Sequence, residues 1–436
     1  MKQSKFKIAL LAGAVFISQA VPTLAEEPHS AKEHAIYKDA PVMKLEEAIA
    51  KAIEASPSLQ SSKAGLEAAK GAERQAGYWP NPELEFEAEN VSGDGQYSGT
   101  DSAEYTYGLS QKVEIGGKRS SRKSAAKAIR EAASVALLAE KLNLVRDVHI
   151  AYTNVLGEIE ALELAIEQES LAKEVLDTVS KRVDAAREPE IQKNKAEVAY
   201  ATSVISREQE ERQLKVSEKK LAQLLGRSNL NVSLDHSHFF ELEAPAPIEN
   251  YQEKLRNAPE IKISSYLEKE KESLLSLEKA QNIPDPSLNA GVRDFRDSGD
   301  QAFVFGVSFP LPVLNMNQGN IAKAKAELNQ ARSNGRQMEL TLEQNLMENW
   351  QGWQASYLEA TSLRKRILPA AKKAFDSAWH GYEKGKFPYL EVLDAQRTLF
   401  KARASYHDSL KNYHMSRANV ERLIGITNDE GQKNAK

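Results

Sequence analysis

Hydrophobic and polar positions follow one pattern along this chain, and the pattern occurs twice. In its first occurrence a helical period of apolar residues covers about 45–77, until Pro80 and Pro82 break it. The period then falls to two. Leu84, Phe86 and Ala88 alternate with Glu83, Glu85, Glu87 and Glu89, and Tyr105, Tyr107 and Leu109 alternate with Glu104, Thr106 and Ser110. This predicts strands over about 82–91 and 103–115, joined by the turn-forming Ser92-Gly93-Asp94-Gly95. The helical period returns over 119–186 with no internal proline, and a further helix is predicted over 189–226. At about 1.5 Å per residue, the longer of the two would extend roughly 100 Å.

The second occurrence has the same order. An opening helix is predicted over about 251–281, then strands over about 286–295 and 301–311, then long helices over about 319–384 and 388–425. Leu288, Ala290 and Val292 alternate with Asn289 and Arg293, and Phe303, Phe305, Val307 and Phe309 alternate with small residues. Landmarks recur in order at an offset of about 200 residues. Ser56-Pro57 matches Ala258-Pro259, Pro80-Asn81-Pro82 matches Pro284-Asp285-Pro286, Gly117 matches Gly319, and Pro189 matches Pro388. The mature chain is therefore a duplication: one repeat over 26–226, a proline-containing linker over 227–250, a second repeat over 251–425, and a tail over 426–436.

A helix of roughly 100 Å cannot fold back into a compact domain, so it must pack lengthwise on others. Leu138, Leu142, Val145, His149, Tyr152, Leu156 and Ile159 step by four and three, and a second stripe runs through Leu137, Leu144, Val148, Ala151, Val155 and Leu162. The equivalent stripe in the second repeat is Leu346, Trp350, Trp353, Tyr357 and Ala360. Two adjacent seams imply a neighbour on each side, as in a sheet of helices curled into a tube. His149 reads as a packed seam residue. The strands alone fit either a soluble hairpin or an outer-membrane barrel, and the long helices favour the barrel. Four strands leave two open edges, which lipid does not tolerate, so closure needs several copies.

Charge and composition narrow the class. Lys2, Lys5 and Lys7 precede an apolar run over about 8–20, and Thr23-Leu24-Ala25 offers small residues for cleavage. This predicts a secretory signal peptide over 1–25, its apolar run too short to span a membrane. The chain has no cysteine, which excludes disulfides, thiolate metal sites and a thiol nucleophile. Its 28% charged residues balance to a formal net charge of −4, which argues against a nucleic-acid partner. There is no Gly-x-Ser-x-Gly elbow, phosphate loop or His-Glu-x-x-His, so neither an enzyme nor a cofactor is expected.

At the turn over 382–396 the sequence reads Tyr-Glu-Lys-Gly-Lys-Phe-Pro-Tyr-Leu-Glu-Val-Leu-Asp-Ala-Gln. Gly385 suits the left-handed end of one helix and Pro388 the first turn of the next. Glu391 and Asp394 then share a helix face, whereas the first repeat has Gln192 and Lys195 at those positions. With this turn, Trp79-Pro80-Asn81-Pro82-Glu83-Leu84, Glu114-Ile115-Gly116-Gly117-Lys118-Arg119 with Arg122, and Pro310-Leu311-Pro312-Val313-Leu314-Asn315, the chain resembles TolC-type outer-membrane efflux channels. It is similar in particular to their CzcC-like, heavy-metal branch.

The resemblance implies a mainly α fold with a small transmembrane β part. A homotrimer would close a twelve-stranded barrel in outer-membrane lipid, continued by a periplasmic α-helical barrel. The implied function is a passive exit duct for heavy-metal cations, fed by an inner-membrane pump of the resistance–nodulation–division class and a periplasmic adaptor. Drug efflux or protein secretion through the same fold remains open at this stage, as does a periplasmic coiled-coil scaffold without a pore. Glu391 and Asp394 are expected at a periplasmic gate. Ala186, Arg187, Pro189, Gly385, Lys386 and Pro388 are expected to meet the adaptor, and Phe303, Phe305, Val307 and Phe309 to face lipid.

Gly116, Gly117, Lys118, Arg119 and Arg122 mark the junction of barrel and helix. Cations at a helix N-terminus oppose its dipole, so contacts with lipid phosphates or neighbouring carboxylates are expected there. Asp235-His236-Ser237-His238, with His29 and His34, offers metal-ligand chemistry without a complete ligand set, and the link carrying 235–238 reads as plain surface.

Overall fold

The computed structural model describes residues 41–425, so the signal peptide, His29, His34 and the tail lie outside the described residues. In the first repeat the elements are β1 (Val42–Met43), α1 (Leu45–Ala55), α2 (Pro57–Ala76), β2 (Glu83–Glu89), β3 (Glu104–Lys112), α3 (Lys118–Asp184) and α4 (Glu190–Leu224). The link adds β4 (Ser233–Leu234). The second repeat has α5 (Ile248–Leu255), α6 (Pro259–Gln281), β5 (Ser287–Phe295), β6 (Gln301–Ser308), α7 (Gln318–Ser362), α8 (Leu368–Glu383) and α9 (Tyr389–Leu423).

Each opening helix, expected to be continuous, is broken in two. Pro57 and Pro259 stand in the first turn of the second piece, where a missing N–H does no harm but the preceding helix cannot continue. Ser56 caps α2 by accepting from the Leu59 N–H at 3.3 Å. A proline also divides the second long helix, expected over 319–384. Between α7 and α8 the chain makes a wider, π-helical turn over Leu363–Ile367, just before Pro369. Pro369 has no N–H for the Lys365 carbonyl, and the wider turn makes room for its ring. By contrast α3 runs unbroken for 67 residues.

The four strands form one antiparallel sheet in the order β2-β3-β5-β6, so the repeats meet at β3 and β5. Gly108 lies opposite Gly291 at that seam. Strands β2 and β6 are the unpaired edges. The register gathers Leu84, Phe86, Tyr107, Leu109, Phe303 and Phe305 on one face, where Phe303 and Phe305 are 80% and 79% exposed. Glu83, Glu85, Glu87 and Glu89 share the other face with Ser110, Gly108, Thr106 and Glu104. There Arg293 pairs with Glu89 at 2.7 Å and Glu104 at 3.0 Å. Strand β6 ends at Ser308, so Phe309 follows the strand instead of closing it. Pro310 has no N–H to extend the ladder.

Among the described residues the buried side chains form thin stripes and small clusters between helices. Helices α2 and α6 flank the upper part of α3, and α4 and α9 flank the rest. The expected seam residues Leu142, Leu144, Val148, Tyr152, Val155, Leu156, Ile159 and Leu162 are buried. Leu138 is not, at 48% exposure. Above Leu142 the seam changes to small residues, Ala125, Ala128, Ala132 and Ala139, which allow close helix approach.

The link over 227–250 is more than surface. Strand β4 pairs in parallel with β1, and the Tyr152 hydroxyl ties both strands down, donating to the carbonyls of Met43 at 2.8 Å and Asp235 at 2.9 Å. Trp350 Nε1 donates to the Ala246 carbonyl at 2.9 Å, and the Tyr413 hydroxyl bonds Glu243 at 3.0 Å. Phe239 is buried. The link is a strap over helices of both repeats, built from contacts 83 to 170 residues apart. Among the described residues no helix is long and apolar enough to cross a membrane.

Candidate functional site

The far turns of the two helical hairpins have one geometry. After α3, Ala186 takes φ +55°, its N–H donates to the Val183 carbonyl at 2.8 Å, and the Arg187 N–H donates to the Arg182 carbonyl at 2.9 Å. After α8, Gly385 takes φ +70°, its N–H donates to the Tyr382 carbonyl at 2.8 Å, and the Lys386 N–H donates to the Gly381 carbonyl at 2.7 Å. Both are left-handed helix ends closed by paired backbone bonds. Only the second uses glycine; an alanine in this region costs about 1 kcal/mol. Arg187, Lys386 and Phe387 are exposed, as are Pro189 and Pro388. Phe387 lies against Gly381, where a Cβ would meet its ring at 2.0 Å.

One arginine joins the turns across the repeats. Arg182 Nη2 donates to the carbonyls of Tyr382 at 2.8 Å and Glu383 at 2.9 Å, and its guanidinium lies 4.1 Å from the centre of the Tyr382 ring. Its Nη1 lies 3.5 Å from Glu188. Beneath it Val175, Val179, Ala196, Tyr382, Tyr389 and Val392 belong to a buried cluster from four helices. Burial, with Glu188 beside it, pushes the Tyr382 hydroxyl above its ordinary pKa. In the sequence Arg182 shows only as a cation in a helix's last turn, which suits the helix dipole and points to nothing further.

Glu391 and Asp394 sit just past the second turn, on α9. Both are exposed on one face, while Val392 and Leu393 between them are buried in the cluster. Neither carboxylate has an ion-pair partner among the described residues. Within one chain they form an open acidic pair, held rigidly by the packing behind them.

At the other end of the long helices, the junction is dense with pairs. Gly116 and Gly117 take φ +72° and +83°, and a Cβ on Gly116 would meet Ile283 at 2.7 Å. Lys118 is 7% exposed; its Nζ donates to Asp285 and to the Ile283 carbonyl. Asp285 also accepts from the Ile115 N–H at 3.0 Å. Arg122 forks onto Glu114 at 2.7 and 3.0 Å and reaches the carbonyls of Ala76 and Tyr78. Arg119 donates to the Gly77 carbonyl at 3.2 Å and lies 4.4 Å over the Trp79 ring. Of the two partners expected for these cations, carboxylates of the same chain engage Lys118 and Arg122. The Arg122 hydrogen bond holds Glu114 below its ordinary pKa. Burial pushes Asp285 up, but Lys118 and the Ile115 N–H more than reverse this and hold it low.

The histidines divide into two groups. His238 is exposed, with Nδ1 2.8 Å from Glu241, and Asp235 accepts from the Ser237 N–H at 2.9 Å. His149 and His414 face each other under the strap, ring centres 6.5 Å apart. Desolvation pushes both imidazoles down to about 4. His414 was not singled out by the sequence, because its partners are remote. Among the described residues no group of three or more His, Cys, Asp or Glu is arranged to hold a metal ion.

A small sheet with two open edges, continued by helices of about 100 Å that end in exposed turns, defines a channel subunit of the outer-membrane duct class. The model of the Outer membrane efflux protein family matches residues 48–227 and 250–426, and the chain belongs to that family. It is 29% identical over 382 residues to the cobalt-zinc-cadmium resistance protein CzcC of Cupriavidus metallidurans, covering 87% of this chain and 90% of that protein. A crystallised membrane protein from Pseudomonas aeruginosa shares the fold with a TM-score of 0.77 at 19% identity, covering 91% of this chain and 93% of that one. The outer membrane protein VceC of Vibrio cholerae does so with a TM-score of 0.75 at 19% identity, covering 87% and 96%. The chain is thus an outer-membrane efflux channel protein with a helical extension into the periplasm, a passive duct and not an enzyme.

Proposed function

We propose that three copies of this chain form the exit duct of a heavy-metal efflux system. Edge strands β2 and β6 of neighbouring copies pair to close a twelve-stranded barrel, since an open edge in lipid leaves backbone groups unsatisfied. Phe303, Phe305 and Val307 then face lipid, with Phe309 at the membrane boundary, and the helices continue the passage into the periplasm. An inner-membrane pump of the resistance–nodulation–division class and a periplasmic adaptor deliver the cargo. The adaptor meets the turns at Ala186, Arg187, Pro189, Gly385, Lys386 and Pro388, which are the parts of the helices farthest from the sheet.

Glu391 and Asp394 form the periplasmic gate. Three copies bring six carboxylates towards one axis, where they attract cations and repel one another. The observation that carries the metal cargo is the similarity to CzcC along most of both chains. Deletion of this chain from its host should sensitise cells to cobalt, zinc or cadmium, and restored expression should return resistance. A deletion that left metal tolerance intact and lowered tolerance to drugs would reassign the cargo while leaving the duct in place.

A further inference from the structure

A cavity of about 320 Å³ lies where the strap crosses α3 and α9; its polar lining includes His149, His414, His238, Asp235, Glu46 and Lys44. His149 belongs to the first repeat and His414 to the second. The strap fixes one of them: His414 Nε2 lies 2.9 Å from the Phe239 carbonyl oxygen. A carbonyl only accepts, so Nε2 carries the hydrogen, and the neutral ring keeps a lone pair on Nδ1. Phe239 stacks on the ring with centres 5.7 Å apart, and Tyr413 meets it edge-on at 5.0 Å. Proteins orient metal-ligating histidines in this way, anchoring one nitrogen to a carbonyl and leaving the other free. No protein hydrogen bond engages His149 among the described residues.

The separation of the rings selects the chemistry. Two imidazoles on opposite sides of one ion, with metal–nitrogen bonds of roughly 2.0–2.1 Å, place their ring centres roughly 6 Å apart. The observed 6.5 Å is close to that opposed arrangement, and a tetrahedral one would bring the rings nearer. No third His, Cys, Asp or Glu completes a set among the described residues, which disfavours zinc. Asp235 and Glu46 line the same cavity against the single cation Lys44, and Arg417 nearby is already paired with Glu421 at 2.8 Å.

We propose that His149 and His414 bind one soft monovalent cation of the Cu(I)/Ag(I) class, opposed across the ion, joining the two repeats beneath the strap. The site is separate from the duct and its gate. Its metal-bound form fastens the strap to both repeats.

Silver(I), which needs no reductant, is the probe. Calorimetric titration of the purified full chain in detergent should show one silver site per chain that is lost, or weakened about a hundredfold, in His149→Gln. His149 is only partly buried, so the variant should fold, which an unchanged metal-free melting midpoint verifies. His238→Gln should keep the site. X-ray absorption of the His149-dependent silver should report two nitrogen neighbours. Equal silver binding by wild type and His149→Gln would overturn the proposal. So would zinc(II) binding with the same His149 dependence in place of silver, because it requires a different geometry. Conductance and metal resistance do not enter this test, so its failure leaves the duct reading untouched.

Discussion

The two ends of the long helices are fastened differently. At the junction with the sheet, Lys118 is paired with Asp285 at a site closed to water, and Arg122, whose side chain is 33% exposed, is paired with Glu114. At the far turns Arg182 lies 3.5 Å from Glu188 and otherwise reaches backbone carbonyls of the other repeat. Water can replace a carbonyl acceptor at an exposed turn, but it cannot follow when a buried ion pair is pulled apart. The junction is therefore built to hold its geometry, and the turns are built to part at modest cost.

The strongest test removes one half of a buried pair. Asp285→Ala leaves Lys118 buried without its partner and should cost about 3–5 kcal/mol, read as loss of heat-stable oligomer. Asp394→Ala should leave that stability within about 0.5 kcal/mol. Equal effects would erase the contrast between the ends. The same pairs set a pH dependence. Folding depresses Asp285 and Glu114 below their ordinary values of 3.8 and 4.5, so their contribution is complete above those values. It is lost as pH falls through the lower folded values, and acid titration of the melting midpoint should show this loss in wild type and not in a Glu114→Gln, Asp285→Asn double variant.

A second test concerns the sheet above the junction. Phe305→Arg should cost about 2–4 kcal/mol of membrane assembly, and Val304→Arg, on the other face, far less. Equal losses would take this strand out of a barrel. Changes at the turns should act on gating more than on stability. Arg182→Ala should lower stability by only about 1–2 kcal/mol, yet raise single-channel conductance in a planar bilayer. Glu391→Ala with Asp394→Ala should raise conductance and reduce cation preference; unchanged conductance and selectivity would place these acids on the outer wall. The smallest expected effect is at Ala186→Gly, which relieves a left-handed alanine and should change the melting midpoint by no more than about 1 kcal/mol in free-energy terms.

The elements that follow a local period were legible in the sequence. The four strands, the long helices and the left-handed Gly385 all follow from alternation, heptad spacing or turn chemistry within a few residues. The strap was not, because Tyr152, Trp350 and Tyr413 hold it from 83 to 170 residues away. Its own sequence shows only prolines and polar residues. Arg182 and His414 escaped for the same reason: each looks ordinary in its helix, and only packing of one repeat on the other gives it a partner. At the junction, the opposed helix dipole signalled that the cations needed neighbours, but Asp285 lies 167 residues from Lys118.

The π-helical turn at Leu363–Ile367 joins α7 and α8 into one helical rod with a wider turn at a single place. Above it, Leu342, Leu346 and Trp353 pack with Leu255 and Tyr413 under the strap. Below it, Ala378 and Tyr382 pack with Val175 and Val392 behind the acidic pair. A wider turn takes up an extra residue at one place, so the stripe below is reset in phase from the stripe above. The first repeat has no such turn, since α3 is a continuous α-helix over its 67 residues. Rotation of α8 about its own axis would swing the carbonyls of Tyr382 and Glu383 away from Arg182 while Trp353 stayed seated.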